Sequence, residues 1–470
     1  MSTISQSTKA ASDSVEQLLY EKRQKIYPRE VHGLFAYLRV TSVIILLGLF
    51  YCCAWLQWDG RQAILWDLPE RKFYVFGLIF WPQDFVYLTF MLIIAGLSLF
   101  FFTAIAGRLW CGYACPQTVW TESFLWIERK IEGDRSAQMR LDKSPWSFRK
   151  FRIKFTKHAI WILFSLFTGF TFVGYFTPIR ELAVEIVNLA TGPWETFWVL
   201  FYALATYGNA GWLREQVCIY MCPYARFQSA MFDRDTLIVS YDKTRGEPRG
   251  SRAKKIDYKA RGLGDCIDCG LCTQVCPTGI DIRKGLQYEC ISCSACIDAC
   301  DYVMDNMGYD RGLIRYTTQQ ELGGVKTRVL RPRIFIYGAI LLAMVVVLSY
   351  SIAIRVPLAM DIIRDRNKLY RETDNGLIEN VYTLKVLNKD IMDHQYHLNA
   401  EGINGLQLIL DKPVIEVNSG EVASIIVRIR ANESELTGRS NPVMFNITAT
   451  DDEQLTVKEE ARFLGPIPER

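Results

Sequence analysis

Long apolar runs alternate with strongly polar stretches along this chain. The first run, at about 34–56, is broken only by Arg39 near its start. A helix needs about 20 apolar residues to cross a bilayer, so this run predicts a transmembrane span, with Trp55 and Trp58 marking its far interface. Runs at about 85–106, 159–176, 194–212 and 334–354 predict four more. The fourth is the weakest, because it contains Glu195, Gly208 and Asn209. Beyond residue 355 the pattern shortens. ENVYTLKVLN, HQYHLNA, GLQLILD, PVIEVN, VASIIVRIRA, NPVMFNITAT and LTVKEEARFLG read as strands, with apolar–polar alternation clearest at 424–430. Seven or so short strands at this spacing predict an immunoglobulin-like β-sandwich.

Charge adds orientation. The chain has 470 residues, half of them hydrophobic, and a mean hydropathy of +0.07, which suits a mixture of membrane spans and polar domains. The net charge of +4 is small for this length and gives no case for nucleic-acid binding. Lys and Arg concentrate in 107–156 and 213–333, whereas 177–193 holds only Arg180. Basic loops face the cytoplasm, so the N-terminus and 213–333 are expected inside, and an odd number of spans puts the C-terminus outside. The opening residues are polar and lack the apolar core of a signal peptide. The expected order is therefore a cytoplasmic lead (1–33), a four-span membrane part (34–212), a cytoplasmic segment (213–333), a fifth span (334–354) and an outer sandwich (355–470).

Fourteen cysteines sharpen the chemistry. Cys266, Cys269, Cys272 and Cys276 stand at C-x2-C-x2-C-x3-C, followed by Pro277. Cys290, Cys293, Cys296 and Cys300 repeat that spacing, with Asp301 in the proline's place. Three closely spaced sulfurs serve three irons of a 4Fe–4S cluster, and in two-cluster ferredoxins the fourth sulfur comes from the other run. The expected sets are Cys266, Cys269, Cys272 and Cys300 for one cluster, and Cys290, Cys293, Cys296 and Cys276 for the other. They define a bacterial ferredoxin-like domain at about 257–305. Structural zinc also favours paired thiolates, but the doubled spacing fits it poorly. Such thiols must stay reduced, which again places this segment in the cytoplasm.

A second pattern lies at the ends of the second and fourth predicted spans. Cys111 and Cys115 precede Pro116, and Cys218 and Cys222 precede Pro223. The proline marks a break or a new helix start, and QTVWTESFLWIERKIEG after the first copy reads as an amphipathic surface helix. Buried free cysteines are common, but two equivalent C-x3-C-P copies point to a metal or redox site. Soft thiolates suit Cu(I) or a further iron–sulfur centre. Cys52 and Cys53 are adjacent, so a helix turns them about 100° apart, and they read as ordinary span residues. His394 and His397 in the outer domain read as solvated surface histidines.

These features together resemble the FixG/CcoG/RdxA family of cytochrome c oxidase accessory proteins. The carriers are KIYPREVHG, LWCGYACPQTVW, YMCPYARFQ, the doubled cluster motif and CDYVMDNMGYDRGLIRY, which includes Asp301. The resemblance implies a polyferredoxin of the bacterial inner membrane, needed for cbb3-type oxidase maturation and reducing Cu(II) to Cu(I). It implies oxidase assembly factors or copper carriers as partners, with a homodimer left open, and the lack of a recognisable flavin or nicotinamide motif points to a protein electron donor. A quinol dehydrogenase-type conduit also carries paired C-x3-C-P motifs, although the C-terminal third argues against it. A non-redox assembly scaffold is the alternative from another class.

Overall fold

The computed structural model describes residues 25–466 apart from Lys255. The chain divides into two compact units, Met1–Leu49, Leu97–Phe170 and Trp198–Gly338 forming one, and Phe50–Gly96, Thr171–Phe197 and Ala339–Arg470 the other. The helices used below are α1 (Leu34–Cys53), α2 (Phe85–Ala106), α3 (Leu109–Tyr113), α4 (Pro116–Glu132), α5 (Phe148–Val173), α6 (Pro193–Thr206), α7 (Pro223–Ala230), α8 (Ala295–Met307) and α9 (Pro332–Ala353).

Among the described residues, four helices are long and apolar enough to cross a membrane: α1, Pro82–Ala106 (which includes α2), α5 and α9. They leave Ile44, Leu92, Leu163 and Leu342 largely exposed. An exposed apolar band of this kind is costly in water and at ease in lipid, and the chain is a membrane protein. The fourth expected span, at 194–212, does not qualify. Its α-helix stops at Thr206, and the chain continues as π-helical turns over Tyr207–Leu213. Gly208 and Asn209 lie where the winding changes, and both disfavour a regular helix. Four of the five expected spans therefore qualify, and the crossing expected at 194–212 is not confirmed by its short, irregular helix. That short helix approaches α5 closely at one point. A Cβ on Gly169 of α5 would stand 2.3 Å from the Val199 carbonyl oxygen of α6, so only glycine permits this approach.

Proline opens α4, with Cys115 as the residue before it. The helix is amphipathic, but its buried face is not simply apolar. Val119, Phe124 and Leu125 are buried together with Glu128 and Glu132. Lys157 of α5 meets Glu128 at 3.1 Å and Glu132 at 2.8 Å, and Arg214 meets Glu128 at 2.8 Å. Burial alone would raise the Glu128 carboxyl, but Arg214, Lys157 and Lys25 outweigh it and hold it below the usual range. Trp161 packs on Phe124 at 5.3 Å between ring centroids beside these pairs.

The rest of the first unit contains a small antiparallel pair, Ile238–Tyr241 with Ile314–Thr317. Helix α8 lies on it, and Val239, Tyr241, Ile282, Ile297, Met304, Leu313 and Ile314 form the core between them.

The second unit contains the C-terminal immunoglobulin-like domain. One sheet pairs Leu377–Asn388 with Val422–Asn432 and Leu358–Arg364, and the other pairs His394–Glu401 with Ser440–Ala449, which in turn pairs with Thr456–Leu464. The alternation at 424–430 is realised: Val427 and Ile429 are buried while Ser424, Ile426 and Arg428 face out. Both sheets feed one core, in which Tyr382 and Phe445 meet edge-to-face at 5.4 Å. The reading of His394 as solvated is corrected. It is only 4 % exposed, with Nδ1 2.8 Å from Asp451 and Nε2 3.2 Å from Asp390. Strand alternation turns position 394 inward, while His397 lies outward.

Candidate metal centres

Each cysteine run of the doubled motif winds round a hollow. In the first, Asp268 and Gly270 have positive φ (52° and 65°), and in the second Ser292 and Ser294 do (54° and 61°). The equivalent positions turn left-handed in both copies, at a cost of about 1–3 kcal/mol for each non-glycine residue. The turns bring the thiols to face inward.

Two cavities result. One is lined by Cys266, Cys269, Cys272 and Cys300, with Leu271, Val303 and Leu313 among its walls. The other is lined by Cys276, Cys290, Cys293 and Cys296, with Cys272 at its edge and Val239, Ile280 and Ile291 around it. Among the described residues, no three His, Cys, Asp or Glu side chains converge on a single ion. Thiols spread round a hollow suit a group with several metal atoms, each taking its own sulfur, so a 4Fe–4S cluster fits these donors. Burial pushes Cys272 and Cys290 up to about 11 and Cys293 up to about 12. Cys296 and Cys300 are raised further, also by burial first and by neighbouring cysteines second. These thiols keep their protons at neutral pH until a metal displaces them, so ligation releases protons.

The second thiol group is assembled from two distant stretches. Cys111 lies in α3, Cys115 precedes α4, Cys218 lies in the π-helical turn Val217–Met221, and Cys222 precedes α7. Both prolines open a new helix, Pro116 and Pro223. Cys115, Cys218 and Cys222 all act to raise the Cys111 thiol, which puts the two copies near one another, although no three of the four converge on a single ion. Burial, aided by these neighbours, pushes Cys111 and Cys218 up to about 12. Arg108, 2 % exposed, opposes that rise and donates to the Ala225 carbonyl. Cys111 Sγ lies 3.7 Å from Gln228 Oε1. Cys52 and Cys53 belong to the second unit, apart from the other cysteines.

Several supporting residues have partners that the sequence did not show. Gly112 packs against the second hollow: a Cβ there would stand 2.8 Å from the Ser292 carbonyl oxygen and 2.9 Å from that of Ile291. Arg39, the lone charge of the first apolar run, donates to the Cys293 carbonyl. Asp298 of α8 accepts from the backbone N–H of Phe35 at 3.2 Å and of Ala36 at 2.7 Å, capping the start of α1. Asp301 accepts from the Gly312 N–H at 3.0 Å and ties down the loop that leaves α8. A lone charge in an apolar run is the one visible hint among them.

Known families match most of the chain. A 4Fe–4S binding domain matches residues 87–133, a 4Fe–4S dicluster domain matches 213–319, and the Ig-like fold at the C-terminus of FixG matches 348–466. The nitrogen fixation protein FixG of Rhizobium meliloti is 40 % identical over 422 residues, covering 82 % of this chain and 80 % of that protein. Protein RdxA of Cereibacter sphaeroides is 40 % identical over 418 residues, 86 % of each. A solved FixG-related protein from Vibrio parahaemolyticus is 34 % identical over 23 % of this chain and 95 % of that one, with a TM-score of 0.21. Iron–sulfur electron transfer is the chemistry these domains carry, and with this likeness along most of its length the chain belongs to the FixG/RdxA family.

Proposed function

We propose that Cys266, Cys269, Cys272 and Cys300 hold one 4Fe–4S cluster, that Cys290, Cys293, Cys296 and Cys276 hold the other, and that the protein delivers electrons to copper. Cu(II) is the substrate, taken up by a pair of thiols among Cys111, Cys115, Cys218 and Cys222, and it leaves as Cu(I) for assembly of a cbb3-type oxidase. When bound, such clusters supply single electrons at low potential. Reduction of Cu(II) takes one electron and no proton.

The observation that carries this reading is the contact of Gly112 with the backbone of Ile291 and Ser292. It sets the turn bearing Cys111 against the loop round the second hollow. Soft sulfur donors favour Cu(I) over Cu(II), and the buried Arg108 guanidinium helps these thiols give up their protons. Oxidase assembly factors or copper carriers and a protein electron donor are the partners such a role requires. The basic segments argue for an inner-membrane protein with the thiols on the cytoplasmic side. If α6 with its π-helical continuation also crosses, the C-terminal domain lies in the periplasm. A periplasm-dependent reporter then works after Arg470 and fails near Gly285; with the N-terminus inside, the reverse pattern removes α6 from the count of spans.

A second reading has a specific observation behind it. The 4Fe–4S binding domain match at 87–133 covers Cys111 and Cys115, which favours an iron–sulfur occupant there. One experiment separates the two. Cu(II) is titrated anaerobically into wild type and into a variant with Ser at 111, 115, 218 and 222, each reduced with dithionite and then freed of excess reductant, following cluster absorbance and Cu(I) together. Copper as substrate requires Cu(I) formation to fall sharply in the variant with iron content unchanged. Equal rates in both proteins overturn the copper site, and loss of iron from the variant assigns these sulfurs to an iron–sulfur centre.

A further inference from the structure

The first unit has a further cavity besides the two hollows of the doubled motif. It has a volume of about 490 Å³, and its lining includes both Cys218 of the second thiol group and Cys293 of the second hollow. Pockets of 300–1,000 Å³ with apolar walls and a few polar groups are the usual size and make-up of small-molecule sites. Here Leu125, Val275 and Ile291 are buried apolar wall residues.

The rim decides what kind of molecule fits. Tyr37 and Val40 of α1 and Trp126 of α4 line the cavity, and each is about half exposed or more (71 %, 51 % and 56 %). Tyr37, Val40 and Ile44 follow one another at helical spacing on the same face of α1, and α1 is long and apolar enough to span a membrane. An opening bordered by the lipid-facing side of a span admits molecules from the bilayer. The interior also offers hydrogen-bonding groups. Thr121 Oγ1 accepts from Gln117 Nε2 at 3.2 Å, which leaves its own hydroxyl proton to donate. His32 lines the mouth, and the buried Glu215 carboxylate lines the wall.

We propose that this cavity binds a membrane quinone, its oxygen-bearing ring beside Thr121 and its isoprenoid tail leaving past Tyr37 and Val40. A two-oxygen aromatic ring on an apolar tail matches a cavity whose walls are mostly apolar, with hydroxyl, imidazole and charged partners (Arg39, Glu122, Arg214 and Glu215 among them) and a lipid-facing mouth. A ring held here stands in one chamber with Cys218 and Cys293, so the site couples the lipid phase to both thiol groups. The inference rests on the electron-transfer reading above, but occupancy of the cavity is measured separately from it.

The test uses the full chain, purified anaerobically into lipid nanodiscs. Decylubiquinone and a short-chain menaquinone are titrated in, and retained quinone is quantified by extraction and compared with empty nanodiscs. The expected result is saturable binding of about one quinone per chain for at least one of the two. Thr121→Trp, which fills the interior, and Val40→Trp, which obstructs the rim, each weaken it by about tenfold or more, with iron and sulfide unchanged. If Thr121→Trp loses iron, Val40→Trp alone decides. Binding no greater than to empty nanodiscs overturns the proposal, as does equal binding by wild type and by every variant that keeps its iron. Iron-loaded, dithionite-reducible protein that binds no quinone overturns this proposal alone, whereas protein that never carries iron or sulfide overturns the electron-transfer reading.

Discussion

The doubled cysteine motif and the C-terminal domain solve the same problem with opposite means. In the C-terminal domain two sheets close on one apolar core, with Tyr382, Phe445, Val427 and Phe463 fully buried. Its alternating strands need no cofactor to exclude water. The cysteine-rich region instead wraps short turns around two thiol-lined hollows and has only a modest core beside them. Four positive-φ positions and raised thiols are tolerated there, which is the pattern of a region whose fold is completed by what it binds. Self-sufficient packing yields a stable module, and a hollow lined by reactive sulfur yields chemistry at the expense of stability.

The largest break in this contrast is expected from the cysteines. Cys269→Ser or Cys293→Ser should remove one centre, about four of roughly eight irons per chain, and disturb the other, because the two runs share their sulfurs. An anaerobic iron and sulfide assay reads this, and eight irons retained in either variant would rule out the corresponding ligand. Next in size is Phe445→Ala. Truncating this fully buried ring should cost about 3–5 kcal/mol, read by chemical denaturation of the detergent-solubilised chain, with iron content unchanged. Iron lost along with that stability would show one cooperative structure in place of two regions.

The smallest effect concerns His394. Burial disfavours its charged form, but hydrogen bonds to Asp390 and Asp451 outweigh burial and hold it above its ordinary value of 6.5. The stabilisation from a raised folded-state value is fully present below about pH 6.5 and is lost as pH rises through the folded-state value. Thermal unfolding of the C-terminal domain should therefore shift to lower temperature across that range in wild type, and His394→Gln should flatten the shift. An identical pH profile in both proteins would leave the ion pair without a role in stability.

Much of this was legible along the chain. The cysteine spacing, the two prolines that open α4 and α7, four of the apolar spans and the strand alternation are local patterns, and local patterns survive as local structure. What escaped the sequence depends on distant partners. Asp298 caps α1 across more than 260 positions, and Arg39 reaches Cys293 across 254. Glu128 and Glu132 look like the solvated face of an amphipathic helix until Lys157 and Arg214 bury them. His394 looks solvated until Asp390 and Asp451 close on it. The span expected at 194–212 rests on composition, since hydropathy does not register the change to π-helical winding at Tyr207.

By itself the sequence determined which atoms are available and how they are spaced: two runs of four thiols, two C-x3-C-P turns, lipid-compatible helices and a set of alternating strands. Spacing within a turn or a strand is set by covalent geometry and needs no partner. Only the tertiary structure decided which groups meet. It brought the two C-x3-C-P turns together, set Gly112 against the second cysteine loop, and enclosed a chamber between Cys218 and Cys293. Those encounters arise from packing elements far apart in the chain, where the removal of water and the fit of backbones choose the neighbours.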